Sequence, residues 1–160
     1  QPKEITNAPY LFPVDVNAND FIGAIKLDDI YRQLSATGAK KVIIFLDACF
    51  TGGARGDHLM ASRGITVEPQ EEVLSGNLLI FSASSGMESS LAYEDEEHGM
   101  FTYYLLKKLQ ESEGNVSMGD LADYLKYKVA DTSIKVNSKD QMPTIRFSPA
   151  LEQTWRNWKL

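Results

Sequence analysis

The chain has one cysteine, two histidines and no apolar run that approaches the roughly 20 residues needed to cross a bilayer. A lone cysteine cannot close an internal disulfide, so nothing points to an oxidising compartment and a cytoplasmic setting is favoured. Positive charge is also scarce. Sixteen Lys+Arg against 22 Asp+Glu give a formal net charge of -6, which repels nucleic acid backbones and favours basic partners or substrates. No nucleic-acid or membrane partner is expected. Internal repeats and low-complexity tracts are missing, and so is a basic-then-apolar leader pattern. The chain opens at Gln1 rather than at Met, which raises the expectation of a segment removed upstream.

What is present suits a soluble globular protein. At 160 residues, 43% hydrophobic and 24% charged, the chain can bury one core, and a single domain over 1–160 is expected. Tyr10 to Val14, bounded by prolines, reads as a short extended piece. Leu27, Ile30, Tyr31 and Leu34 recur at helical spacing, with Asp28 and Asp29 in the first turn and Gly38 just past the end. Val42 to Leu46 and Leu78 to Phe81 are apolar without alternation, as expected of parallel strands covered on both faces. Met100 to Leu109 predicts a helix with Phe101, Tyr104, Leu105 and Leu109 on one side. Ser117 starts another, with Asp120 three residues on and Leu121, Tyr124, Leu125 and Val129 at helical spacing. This alternation predicts an α/β fold, a mostly parallel sheet with helices on both faces and sites at the carboxyl ends of strands. The stretch 51–76 is rich in glycine and charge and too long for a simple connection, so it is expected to be a mobile loop.

The apolar run Lys41-Val42-Ile43-Ile44-Phe45-Leu46 ends in Asp47-Ala48-Cys49-Phe50-Thr51-Gly52-Gly53. If the extended geometry persists, Asp47 and Cys49 point the same way and share a site. Gly52 and Gly53 let the backbone turn away and leave the thiol accessible, as a nucleophile requires. Taken alone, these residues also fit a core cysteine and a capping aspartate.

The heptad resembles the D-x-C-x-S-G nucleophile segment of the caspase-like cysteine peptidases, which include caspases, metacaspases, paracaspases and prokaryotic relatives. Four further stretches are similar to that family and keep its order. Pro9-Tyr10-Leu11-Phe12-Pro13-Val14-Asp15 looks like the segment after the catalytic His-Gly. Phe81-Ser82-Ala83-Ser84-Ser85-Gly86-Met87-Glu88-Ser89-Ser90 looks like the substrate-groove strand and loop. His98-Gly99-Met100-Phe101-Thr102 looks like the start of the following helix, and Gln141-Met142-Pro143 like a pre-strand motif of prokaryotic members.

The resemblance implies the caspase-haemoglobinase fold and a Cys-His dyad with Cys49 as nucleophile. Backbone N–H groups of the Cys and of the Gly after the His would hold the oxyanion. Neither histidine matches the family's base, which lies tens of residues before the Cys. His98 follows Cys49 and opens a helix; His58 lies in the long loop. The base is therefore expected upstream of Gln1, in a segment of the same protein, and the 160-residue chain alone is expected to be inactive.

The resemblance also bears on substrate. Caspases that cut after Asp carry Gln two residues before the nucleophile, whereas metacaspases and paracaspases, which prefer Arg or Lys, carry Asp there, as this chain does at Asp47. Glu88 matches a second acidic pocket residue of paracaspases. Residues from Met87 to Ser90, Ser89 among them, would pair with substrate as an added strand. A protein or peptide with a basic residue at the cleavage position is the implied substrate, and Arg55 and Arg63 are candidate self-cleavage sites. No cofactor is implied as a requirement. Calcium activates several metacaspases through acidic residues, and Asp28, Asp29 and Asp57 lie near the corresponding regions with a different spacing.

Two rivals stand beside this reading. A phosphoacceptor receiver domain would also place an aspartate at a strand end, but its acidic pair follows the first strand, whereas Asp28 and Asp29 open a helix. A caspase-like fold could instead serve as a non-catalytic interaction or assembly module that keeps Cys49 without a base.

Overall fold

A computed structural model describes residues 9–13, 15–16, 22–48, 72–85, 90–93 and 96–160 of the chain. Its centre is a three-stranded sheet in the order β3 (Val42–Leu46), β4 (Leu78–Ser82) and β7 (Thr144–Phe147). β3 and β4 are parallel, with Val42 opposite Leu78 and Leu46 opposite Ser82, while β7 runs antiparallel to β4, with Leu79 opposite Phe147. The described sheet thus holds one parallel and one antiparallel pairing. Short ribbons flank it: β1 (Tyr10–Leu11) pairs with β2 (Ile25–Lys26), and β5 (Ala92–Tyr93) pairs with β6 (His98–Gly99), both antiparallel.

Strand geometry divides β4 between two cores, because successive side chains leave a strand on opposite faces. Leu79, Phe81 and Ala83 face α2 (Met100–Glu111) and α3 (Met118–Asn137), packing with Met100, Phe101, Leu121, Leu125 and Val129. Leu78 and Ile80 face α1 (Leu27–Ala36), packing with Leu27, Tyr31 and Leu74. Helices therefore cover both faces. Each buried Leu or Phe side chain contributes about 1.5–3 kcal/mol through removal of apolar area from water, and most such residues lie on the α2–α3 side.

The helices form where their periodicity predicts. Gly38, with φ 68°, follows the last turn of α1 in the left-handed conformation that a side chain would disfavour. The Ser117 hydroxyl accepts from the Asp120 N–H at 3.1 Å and donates to the Asp120 carboxylate at 2.7 Å, so the acidic capping pair forms. Tyr93, Tyr103, Tyr104 and Tyr124 pack edge to face and stacked, with centroids 5.0–6.3 Å apart. The Tyr104 hydroxyl bonds Thr132 at 2.7 Å. These rings fasten β5 to α2 and α2 to α3. The chain ends in two 3₁₀ turns, Pro149–Leu151 and Trp155–Asn157, whose Trp155 stacks on Phe147.

Three features depart from simple expectation. β3 is half-buried at all five positions, although its sequence reads as covered on both faces. Among the described residues it pairs along one edge only, with β4. Asp28 is 3% exposed rather than solvated at the helix start. Its charge is met by Lys26 Nζ, 3.3 Å away, and its carboxylate oxygens have no hydrogen bond among the described residues. Asp28 raises the Lys26 ammonium above the ordinary lysine value. Asp29 is exposed and pairs with Arg32 one turn on, so each of these carboxylates already faces a cation of the chain. Finally, 72–76 is anchored at three points, although all but Leu74 are exposed. Leu74 is buried, the Glu72 carbonyl accepts from Arg146 at 3.0 Å, and the Ser75 carbonyl accepts from the Ser35 and Ser148 hydroxyls. The rest of the predicted long loop, with Arg55, Asp57, His58 and Arg63, lies outside the described residues.

Candidate active site

The carboxyl end of β3 delivers Asp47 to one end of the sheet. There the parallel pairing runs one residue past β4: Ala83 N–H donates to the Leu46 carbonyl at 2.8 Å. Residues with short polar side chains follow, because the strand tip meets other chain segments rather than the apolar interior. Ser82 and Ser84 are both buried, and the Ser84 hydroxyl has no partner among the described residues.

Asp47 itself is half-buried, and its two oxygens are claimed separately. Oδ1 accepts a short hydrogen bond from the Ser90 hydroxyl. Oδ2 accepts from the Thr102 hydroxyl at 2.7 Å. Thr102 sits in the first turn of α2, and Ser90 closes the segment that leaves β4. Hydroxyl donors stabilise an ionised carboxylate without neutralising it. Among the described residues Asp47 makes no ion pair.

A second group fixes the same region from behind. The Gln141 side chain is fully buried and reaches both ends of the 84–90 segment. Its Nε2 donates to the Ala83 carbonyl at 2.9 Å, and its Oε1 accepts from the Leu91 N–H at 2.9 Å. Its own backbone N–H donates to Ser133 Oγ on α3 at 3.1 Å. The Leu91 carbonyl in turn accepts from the Met100 N–H at 2.9 Å, where α2 begins. One side-chain amide thus holds together the end of β4 and the residue before β5, and the backbone N–H of the same residue ties them to α3. An amide suits this place because it offers a donor and an acceptor at once.

Of the site residues expected from sequence, Asp47 is the one the structure describes. Cys49, Glu88 and Ser89, like Arg55 and Arg63, lie outside the described residues. His98 is exposed in β6, directly ahead of α2, and its neighbour in the ribbon is Tyr93. Sequence reading gave Ser90 only a main-chain role toward substrate and gave none to Thr102 or the Gln141 side chain. The motifs containing them are visible, but their convergence is not: Ser90 and Thr102 lie 43 and 55 residues from Asp47.

The chain matches the caspase domain over residues 2–153, and it belongs to that family. It is therefore a caspase-like α/β domain of the cysteine peptidase type, a class of hydrolases that act on proteins. No curated protein matches the chain significantly. Among the described residues no helix is long and apolar enough to cross a membrane.

Proposed function

We propose that the chain carries the nucleophile and the primary specificity pocket of a cysteine endopeptidase that cleaves after Arg or Lys. Cys49 attacks the scissile carbonyl carbon, a histidine from a segment preceding Gln1 takes the thiol proton, and backbone N–H groups hold the oxyanion. The same imidazolium returns the proton to the leaving amine, and water then releases the acyl group. No step needs a metal ion.

The observation that carries the specificity is the state of Asp47. It stands two residues before Cys49, half-buried, oriented by two neutral donors and free of any cationic partner among the described residues. A basic side chain supplies the missing counter-charge, whereas an acidic one meets like-charge repulsion. Glu88 is the candidate for a second acidic wall and Ser89 for a main-chain contact to substrate. Arg55 and Arg63, which match the same specificity, are proposed self-cleavage sites.

The placement of the histidine on another segment is supported by β3. The strand is apolar, half-buried along its length and paired on one edge among the described residues, as suits a strand with a further strand beside it. A segment docking there would arrive next to the tip that bears Asp47 and leads to Cys49.

Labelling tests this reading. Protein that includes the upstream segment is treated with peptide electrophiles ending in Arg, Lys or Asp, and the modified residue is mapped by mass spectrometry. Modification of Cys49 by the Arg and Lys reagents is expected. A Cys49 that all three leave untouched would instead mark a non-catalytic assembly module.

A further inference from the structure

We propose that Thr102 and Ser90 lock the Asp47 carboxylate in one orientation, and that this lock makes the pocket select a guanidinium over an ammonium, arginine over lysine. The inference rests on the reading of Asp47 as the pocket acid and goes beyond it by naming which basic side chain is taken and which residues decide.

An ionised carboxylate has two oxygens and about four acceptor positions. Among the described residues two are used, one on each oxygen: Ser90 on Oδ1 and Thr102, at 2.7 Å, on Oδ2. A carboxylate held by a single donor can still rotate about its terminal torsion, which is broad for Asp. Donors on both oxygens, from two different chain segments, fix its plane. Those segments are fixed in their turn. Thr102 is one turn into a helix whose neighbours Met100 and Phe101 are buried to 0% and 1% exposure. Ser90 precedes Leu91, whose N–H and carbonyl are both bonded, to Gln141 and Met100.

A carboxylate of fixed plane presents one remaining acceptor position on each oxygen. The planar guanidinium fork matches such a pair with two parallel N–H donors, whereas an ammonium is a point charge that needs only one oxygen in any orientation. The lock therefore adds binding to Arg that Lys cannot use. Thr102 and Ser90 are positioning residues. They act through Asp47 and need not touch substrate.

The test uses the protein with its upstream segment and two fluorogenic peptides identical except for Arg or Lys before the scissile bond. The parent should prefer Arg by about tenfold or more in kcat/KM, the worth of one charge-assisted hydrogen bond. Thr102→Val keeps the shape and removes the donor. It should bring the Arg/Lys ratio toward one, mainly by raising KM for Arg with little change in kcat, while Thr102→Ser should restore the parent ratio. Ser90→Ala should lower the ratio in the same way from the other oxygen, which keeps the test informative if one variant folds poorly. A parent without Arg preference, or two folded variants that keep the parent ratio, would overturn the lock. Asp47→Asn separates this from failure of the underlying reading. If that variant still cleaves Arg substrates like the parent, the pocket assignment is wrong. If it loses them while Thr102→Val and Ser90→Ala change nothing, only the lock is wrong.

Discussion

β3 and β4 are neighbouring parallel strands of five residues each, both apolar, yet they live in different surroundings. β4 is buried at every position, flanked by strands on both edges and by helices on both faces, whereas β3 is half-buried throughout. The difference separates scaffold from chemistry. The strand that organises the cores is enclosed by the described chain, while the strand that ends at Asp47 and leads to Cys49 pairs along one edge only among the described residues. A catalytic tip on such a strand can be completed by another segment, which is what a dyad divided between two parts of a protein requires.

The sharpest way to break this comparison is to remove the nucleophile. Cys49→Ala, in protein that includes the upstream segment, should lower peptide hydrolysis by on the order of 10⁴-fold or more and leave the thermal melt nearly unchanged. Retained turnover would end the peptidase assignment. The scaffold side should respond in the opposite sense. Leu125→Ala, at a position of 0% exposure in the α2–α3 core, should cost about 3–4 kcal/mol in urea unfolding. Ile44→Ala, on half-exposed β3, should cost only about 1–2 kcal/mol, since less apolar area returns to water. Equal losses would mean that β3 is as enclosed as β4.

Two smaller effects sharpen the picture. Gln141→Leu leaves the Ala83 carbonyl and the Leu91 N–H without their partner, and should destabilise by about 2–3 kcal/mol, because buried groups left unpaired carry their desolvation cost. It should also raise KM, as the segment it fastens leads to Ser90. Ser117→Ala removes the cap of α3, far from the strand tip, and should cost about 1 kcal/mol with no change in KM. A KM that rises as much for Ser117→Ala as for Gln141→Leu would remove the special role of the 84–90 frame.

Much of the fold was legible because it is written in local pattern. The 3.6-residue spacing of Leu27, Ile30, Tyr31 and Leu34 gave α1 nearly to its end, and Ser117 with Asp120 gave the cap of α3, but the pattern of Leu121, Leu125 and Val129 did not show that α3 runs on to Asn137. The two-residue ribbons β2, β5 and β6 were not legible, since two residues carry no periodicity. Half-burial of β3 could not be read either, because an apolar run looks the same whether or not a neighbour covers it. Asp47 is a candidate site residue from its place before the cysteine alone. The hydroxyl contact of Ser90, and Thr102 and the Gln141 side chain altogether, escaped because they depend on contacts 43 to 58 residues away along the chain, which no local spacing reports.

The account turns on the sign of the pocket at Asp47, and a panel of fluorogenic peptides differing only at the residue before the scissile bond tests it most directly. Run on protein that includes the proposed histidine segment, the panel should show cleavage after Arg and Lys and none after Asp. Asp47→Ala should lower kcat/KM on Arg substrates by on the order of 10²-fold, as expected when a charge-assisted pair is lost in a partly desolvated site, and Glu88→Ala should act in the same direction more weakly. Preference for Asp, or an Asp47→Ala variant as active on Arg substrates as the parent, would contradict it.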